Sequence, residues 1–139
     1  MGIIKAAIEL VNPIDLVLAD EGKIGAEAIR KMQVTAMVDT GAYYLCINDT
    51  IRKQLGLRHM TYQNAELADG SVANVEMVGP VIVNFKNRTT ACSALVLPGN
   101  TEPLLGSIPM EGMDVVLVPL KQTIDINPDH PIIAQTLLK

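Results

Sequence analysis

Val34-Thr35-Ala36-Met37-Val38-Asp39-Thr40-Gly41-Ala42 is the stretch on which the reading of this chain turns. Met32, Val34, Ala36 and Val38 recur at every second position, the period of a strand with one buried face. We read Ile29 to Val38 as a strand that leads straight into Asp39. A second apolar run, Tyr43 to Ile47, begins directly beyond Ala42. Asp-Thr-Gly alone is a weak signal, since Asp and Gly after a strand are ordinary turn formers. Its setting between two apolar runs raises it. A carboxylate there sits at the base of a packed scaffold and not on a solvated tip.

Working outward, period two dominates. Ile4 to Leu10 alternates, with Lys5 and Glu9 turned away from the apolar face. Asn12-Pro13 breaks this run, and Ile14, Leu16 and Leu18 resume an alternation up to the turn at Asp20-Glu21-Gly22. Ala26 to Met32 has a composition that also suits a helix. Downstream of the Asp39 loop, Asn48 or Asp49 is placed to cap a short helix with Ile51 and Leu55 inward, ended by Gly56. Thr61 to Leu67 and Val72 to Val78 flank Asp69-Gly70, a strong tight-hairpin signal. Gly79-Pro80 is expected to start a further pair, Val81 to Phe85 and Thr90 to Leu97. Leu104-Leu105-Gly106 follows, then a helical turn near Pro109 to Gly112 and late strands at Val115 to Val118 and Thr123 to Ile126. Many short strands with regular turn signals predict a sandwich or barrel with one or two short helices.

Bulk properties narrow the function. The 139 residues fit a single domain, 1–139, and apolar residues make up 49%, which excludes a disordered chain. With one Phe, three Tyr and no Trp, the core must be aliphatic. The net charge of -4 with no block of Lys or Arg argues against a nucleic-acid groove, which needs clustered cations. No apolar run is long enough to span a bilayer, and the N-terminal residues do not form a secretory signal. Cys46 and Cys92 suit reduced thiols. The expected setting is cytoplasmic. His59 and His130 are too few and too far apart for a metal site, so neither a metal nor another cofactor is expected.

The chemistry open to Asp39 depends on a partner. Two carboxyl groups held close together cannot both ionise, so one can activate water while the other, protonated, polarises a carbonyl. The chain has one Asp-Thr-Gly triplet and no second. Half an active site is therefore missing, and a second copy related by a twofold axis would supply it. Gly41 lets the main chain approach the carboxylate and donate to it, and Thr40 offers a hydroxyl to lock the loop.

Taken together, Met37 to Ala42, Leu55-Gly56-Leu57, Leu67-Ala68-Asp69-Gly70-Ser71, the apolar hairpin Val81 to Leu97, and Leu104-Leu105-Gly106 resemble retropepsin-like aspartic proteases. Ile108 to Asp114 and Asn127 to Pro131 resemble the small single-domain prokaryotic members. The resemblance spans 34–131. It implies a mainly β acid-protease barrel, active as a twofold homodimer, that hydrolyses peptide bonds. It assigns catalysis to Asp39, with Thr40 in hydrogen bonds across the axis and Gly41 on the floor of the site. It assigns substrate contact to Ala42, Tyr43 and a mobile flap of Asp69, Gly70 and Ser71, with Leu105 and Gly106 supporting the loop from behind. Tyr43 and Tyr44 stand where viral members carry acidic residues. The apolar tail from Ile132 to Leu138 is expected to be either an interface strand or a strand packed on its own subunit.

Other residues draw plainer readings. Cys46 lacks a partner base and reads as a buried structural thiol. Glu111 and Asp114 read as solvated or helix-capping groups. The competing function is a retropepsin-fold module that binds peptides or dimerises without cutting, because fold alone does not guarantee chemistry.

Overall fold

The computed structural model describes residues 3–138. The first strand, β1 (Lys5–Val11), buries Ala6, Ile8 and Leu10 as its alternation requires. It runs antiparallel to β2 (Lys31–Val38), with Lys5 opposite Met37 and Val11 opposite Lys31.

Between them the chain departs from the sequence expectation. The alternation at Ile14, Leu16 and Leu18 belongs to a helix, α1 (Pro13–Asp20), followed by a 3-10 turn at Ala26–Ala28. Asn12 starts the helix where it was read as a break. Its side chain accepts from the Ile14 and Asp15 N–H groups, and Pro13 takes the first turn, where its missing N–H costs nothing. Asn12 also donates to the Leu55 carbonyl at 2.8 Å, tying this insertion to the next helix. Apolar burial does not hold α1, for its buried residue is Asp15. That carboxylate accepts from Arg30 Nε at 2.8 Å, Nη2 at 3.0 Å and the Arg30 main-chain N–H at 2.9 Å. These bonds hold the Asp15 carboxyl below its ordinary pKa, the Arg30 side chain contributing most.

After the Asp39 loop come β3 (Leu45–Ile47), wholly buried, and α2 (Asp49–Leu55). Asn48 caps α2 by accepting from the Ile51 N–H at 2.9 Å, and Gly56 closes it at φ 62°. Ile51 and Leu55 face inward. The hairpin of β4 (His59–Glu66) and β5 (Val72–Phe85) follows, and then β6 (Arg88–Val96). The expected break at Gly79-Pro80 is absent, and β5 runs on for 14 residues. The ladder accommodates Pro80 through a bulge between Val78 and Val81, so no ladder bond is asked of its missing N–H. The bulge also re-aims the strand. Val75 and Met77 pack in a small cluster with Cys46 and Leu95, whereas Val81, Val83 and Phe85 join the main core.

The remaining elements are β7 (Leu104–Leu105), α3 (Ser107–Met113), β8 (Val115–Val118), a 3-10 turn at Pro119–Lys121, and β9 (Thr123–Ile126). The main sheet has the order β1-β2-β7-β3-β6-β5-β4, and β1 also pairs with β5, so the sheet curls back on itself. The molecule is mainly β with three helices. The core is aliphatic, as composition demanded, and Phe85 is its one aromatic member. Strand β7 is parallel to β2 and antiparallel to β3, which wedges Leu104 and Leu105 beneath the Asp39 loop.

Asp114 ends α3 with a left-handed backbone, φ 54°. Its carboxylate accepts from the Asn127 amide at 3.1 Å, pairs with His130 Nδ1 at 2.7 Å, and accepts from the Gln135 N–H at 2.9 Å. The buried Arg88 donates to the His130 carbonyl, and Asn87 to the carbonyls of Pro131 and Ile132. The chain after β9 is thus strapped to the domain by polar bonds. The tail it leads to is not a strand packed on its own subunit: Ile132 to Leu138 form no strand and all are exposed.

The strap has a pH signature. Asp114 is held down at about 2, chiefly by the Gln135 N–H, then by Asn127 and His130. A carboxyl depressed in the folded state contributes stability above its ordinary value of 3.8, lost as pH falls through about 2. Denaturant melts from pH 5 downward should therefore show a shallower loss for Asp114→Asn than for the wild type. Equal slopes would mean that the strap adds nothing.

Candidate active site

The Asp39 loop is fixed mainly by main-chain bonds from behind. Met37 N–H donates to the Pro103 carbonyl at 2.8 Å and Asp39 N–H to the Leu105 carbonyl at 3.0 Å. In return, Ser107 N–H donates to the Ala42 carbonyl at 2.9 Å and Ile108 N–H to the Tyr43 carbonyl at 2.8 Å. Gly106 sits at the tightest point of this contact. A methyl group there would lie 2.5 Å from the Tyr44 oxygen, 2.7 Å from the Tyr43 carbonyl carbon and 2.8 Å from the Ala42 oxygen. Only a residue without a side chain allows that approach.

Within the loop, Gly41 N–H donates to Asp39 Oδ1 at 2.9 Å, and Ala42 N–H to the Asp39 carbonyl at 3.1 Å. The loop is therefore closed on the carboxylate it carries, which is itself exposed. It lies at the edge of a groove of about 810 Å³. Gly41, Ala42, Tyr43 and Tyr44 form one side, with Cys46, Leu95 and Leu104 from the neighbouring strands. The stem of the β4–β5 hairpin, Gln63 to Ala68, forms the other side, and Leu97, Pro98 and Thr101 complete the lining. The Cys46 thiol is pushed up to about 11, by burial first and by the nearby Asp39 charge second. A thiol held protonated in this way is no nucleophile at neutral pH.

The residues singled out from sequence divide in space. Asp39, Gly41, Ala42 and Tyr43 share the groove. Thr40 faces a second, smaller cleft with Ile3, Met37, Leu117 and Pro119, which Asp39 also borders. Asp69, Gly70 and Ser71 lie at the exposed hairpin tip, beyond the groove's lining. There Asp69 Oδ1 accepts from the Ser71 hydroxyl at 2.5 Å and the Ser71 N–H at 2.9 Å, and these bonds lower its pKa. Asp69 therefore organises its own turn. The sequence reading missed the groove walls at Gln63 to Ala68, Leu95, Leu97, Thr101 and Leu104. The alternation of β4 was the available signal for the first of these, since it turns Gln63, Ala65 and Leu67 to one face.

Among the described residues no group of three His, Cys, Asp or Glu side chains could hold a metal ion, and no helix is long and apolar enough to cross a membrane. The model of the gag-polyprotein putative aspartyl protease family matches residues 27–110, a span that runs from the 3-10 turn before β2 through the Asp39 loop into α3. The chain belongs to this family of retropepsin-like aspartyl protease domains. No curated protein matches the sequence.

Proposed function

We propose that this chain is one subunit of an aspartic endopeptidase that works as a homodimer, with Asp39 of each copy forming the catalytic pair. The observation that carries this is the Asp39 carboxylate, locked by the Gly41 N–H and buttressed by β7, at the mouth of an apolar groove. A turn needed only for folding has no use for that aim.

In the working pair one carboxylate is ionised and the other protonated. The ionised one takes a proton from a water whose oxygen attacks the scissile carbonyl carbon. The other gives its proton to the carbonyl oxygen, forming a neutral tetrahedral diol. Collapse of the diol breaks the C–N bond, with one carboxyl protonating the leaving nitrogen and the other recovering a proton from the diol hydroxyl. Gly41 holds each carboxylate, and Thr40 stabilises the loop across the axis. Ala42, Tyr43 and the groove walls seat an extended peptide. The β4–β5 hairpin, with Asp69, Gly70 and Ser71 at its tip, closes over the peptide and excludes water. The site is assigned no metal or cofactor, and the working location is cytoplasmic.

Two measurements test this together. Sedimentation at micromolar concentration should give twice 15.0 kDa. A mixed peptide library, read by mass spectrometry across pH, should be cut with a bell-shaped profile, because only the singly protonated pair works. A strict monomer, or a dimer that cuts nothing at any pH, would contradict the proposal. The latter result would favour a peptide-binding scaffold.

A further inference from the structure

The charges around the peptide groove have one sign. Asp39 and Glu66 are the carboxylates that line it, and among the described residues no Lys, Arg or His does so. The stretch that carries the Asp39 side of the groove, Met32 to Ile51, contains no cationic residue. The other side is the β4–β5 hairpin, which from Met60 to Phe85 holds Glu66, Asp69 and Glu76 and no Lys, Arg or His. Glu76 is paired with His59 at 2.7 Å. Glu66 and Asp69 have no cationic partner, and the bonds from Ser71 hold the Asp69 carboxyl below its ordinary pKa, so it is ionised at neutral pH. A hairpin that closes over a peptide therefore brings two uncompensated anions towards it, above a loop that carries a third. Low-dielectric walls concentrate such a field.

Aromatic side chains are just as unevenly placed. The chain has three Tyr and one Phe, yet Tyr43 and Tyr44 both line the groove. Tyr44 packs on the cluster of Cys46, Val75, Met77 and Leu95 beneath it. Tyr43 is 72% exposed. Its main chain is nevertheless fixed, because its carbonyl accepts from the Ile108 N–H at 2.8 Å. A large ring held out into solvent on a rigid backbone offers a contact face at small entropic cost. The face of such a ring attracts a cation.

We propose that the groove selects peptides with Arg or Lys flanking the scissile bond, the cation resting on the Tyr43 ring within the field of Glu66 and Asp69. This rests on the groove being the substrate site of the proposed endopeptidase, and adds the charge of the substrate. Arg is the better fit, since its planar guanidinium also stacks on an aromatic face. A neutral peptide suits the apolar floor equally well but leaves the acids of both walls uncompensated, and an acidic peptide is repelled.

The test uses peptides that differ only in one flanking residue, Arg, Gln or Glu, scanned along both sides of the cut. At the best position wild type should cleave the Arg peptide with a kcat/KM about 10-fold above the Gln peptide, chiefly through KM, and the Glu peptide more slowly still. Tyr43 and Glu66 are both exposed, so changing them leaves the core intact. Tyr43→Leu and Glu66→Gln should each lower the ratio to about 3, whereas Tyr43→Phe, which keeps the ring, should retain it. Added salt should shrink the ratio, because exposed charges are screened. Equal cleavage of the three peptides by wild type, or a preference for Arg that survives both Tyr43→Leu and Glu66→Gln, would overturn the inference and leave the endopeptidase standing. If no peptide is cut, the endopeptidase falls. The same three peptides, labelled and followed by fluorescence anisotropy, then decide whether the groove prefers a cation: tighter binding of the Arg peptide upholds the inference, and equal binding overturns it.

Discussion

Asp39→Asn is expected to abolish peptide cleavage while leaving the domain and its dimer folded. The change keeps the shape of the side chain, so Gly41 N–H still finds an oxygen acceptor where it now meets Oδ1 at 2.9 Å. It removes the group that takes a proton from water and the group that gives one to the carbonyl oxygen, in both copies at once. A loss on the order of 10⁴-fold in kcat is expected from general acid–base catalysis alone. The melting temperature should hold or rise, because no charge is left to be crowded across the axis. A transition-state mimic bearing a tetrahedral hydroxyl should bind wild type and bind the variant poorly. Cleavage by the variant at the wild-type rate would remove Asp39 from the mechanism. Peptide binding indifferent to the change, with no cleavage by either protein, would instead identify a scaffold.

Gly106→Ala should damage stability and activity together. The added methyl meets three main-chain atoms of the Asp39 loop at 2.5 to 2.8 Å, and none of them belongs to a flexible side chain that could turn aside. Gly106 has an extended backbone, φ -89° and ψ -174°, which any residue adopts. The penalty is therefore one of space and not of backbone strain. Overfilling a packed site costs about 1–3 kcal/mol and sometimes more. Relief requires β7 and the loop to move apart, which breaks the bonds from Ser107 and Ile108. A shift of about 1 Å in a catalytic group can cost on the order of 100-fold in rate. Chemical denaturation and kcat should both fall, and a variant with wild-type values in each would show that the contact gives way freely. Gly70 is a control for the space argument alone: at φ 85° it has nothing within 4 Å of an added methyl, so substitution there strains the backbone of the turn without overfilling a packed site.

Most of the strands were legible because their signals are local. The alternation in β1, the Asn48 cap and Gly56 stop of α2, and the Asp69-Gly70 turn each lie within a few residues of what they determine. The failures are equally physical. Ile14, Leu16 and Leu18 alternate, yet Asn12 and Pro13 form a helix start, and the buried member of that helix is a charged Asp15 held by Arg30. No hydrophobic period reports an ion pair. Gly79-Pro80 was read as the start of a further strand pair, but a bulge lets β5 pass through it. The Asp39 loop was legible as a motif. The groove around it was not, because Leu95 and Leu104 reach it through the nonlocal pairings of β3, β6 and β7, and Leu97 and Thr101 through long-range bonds to Ile47 and Asn48, none of which leaves a mark on neighbouring residues.

The central claim is that each active site needs two Asp39 carboxylates, one from each chain. Wild type and Asp39→Asn should be mixed in varying ratio at constant total concentration, allowed to exchange subunits, and assayed for peptide cleavage. If both carboxylates are required, activity follows the square of the wild-type fraction, and an equal mixture retains about a quarter of the full rate under random pairing. An equal mixture that keeps about half of the rate, as for chains acting independently, or about three quarters, as for active mixed dimers, would mean that one Asp39 suffices and would contradict the paired mechanism.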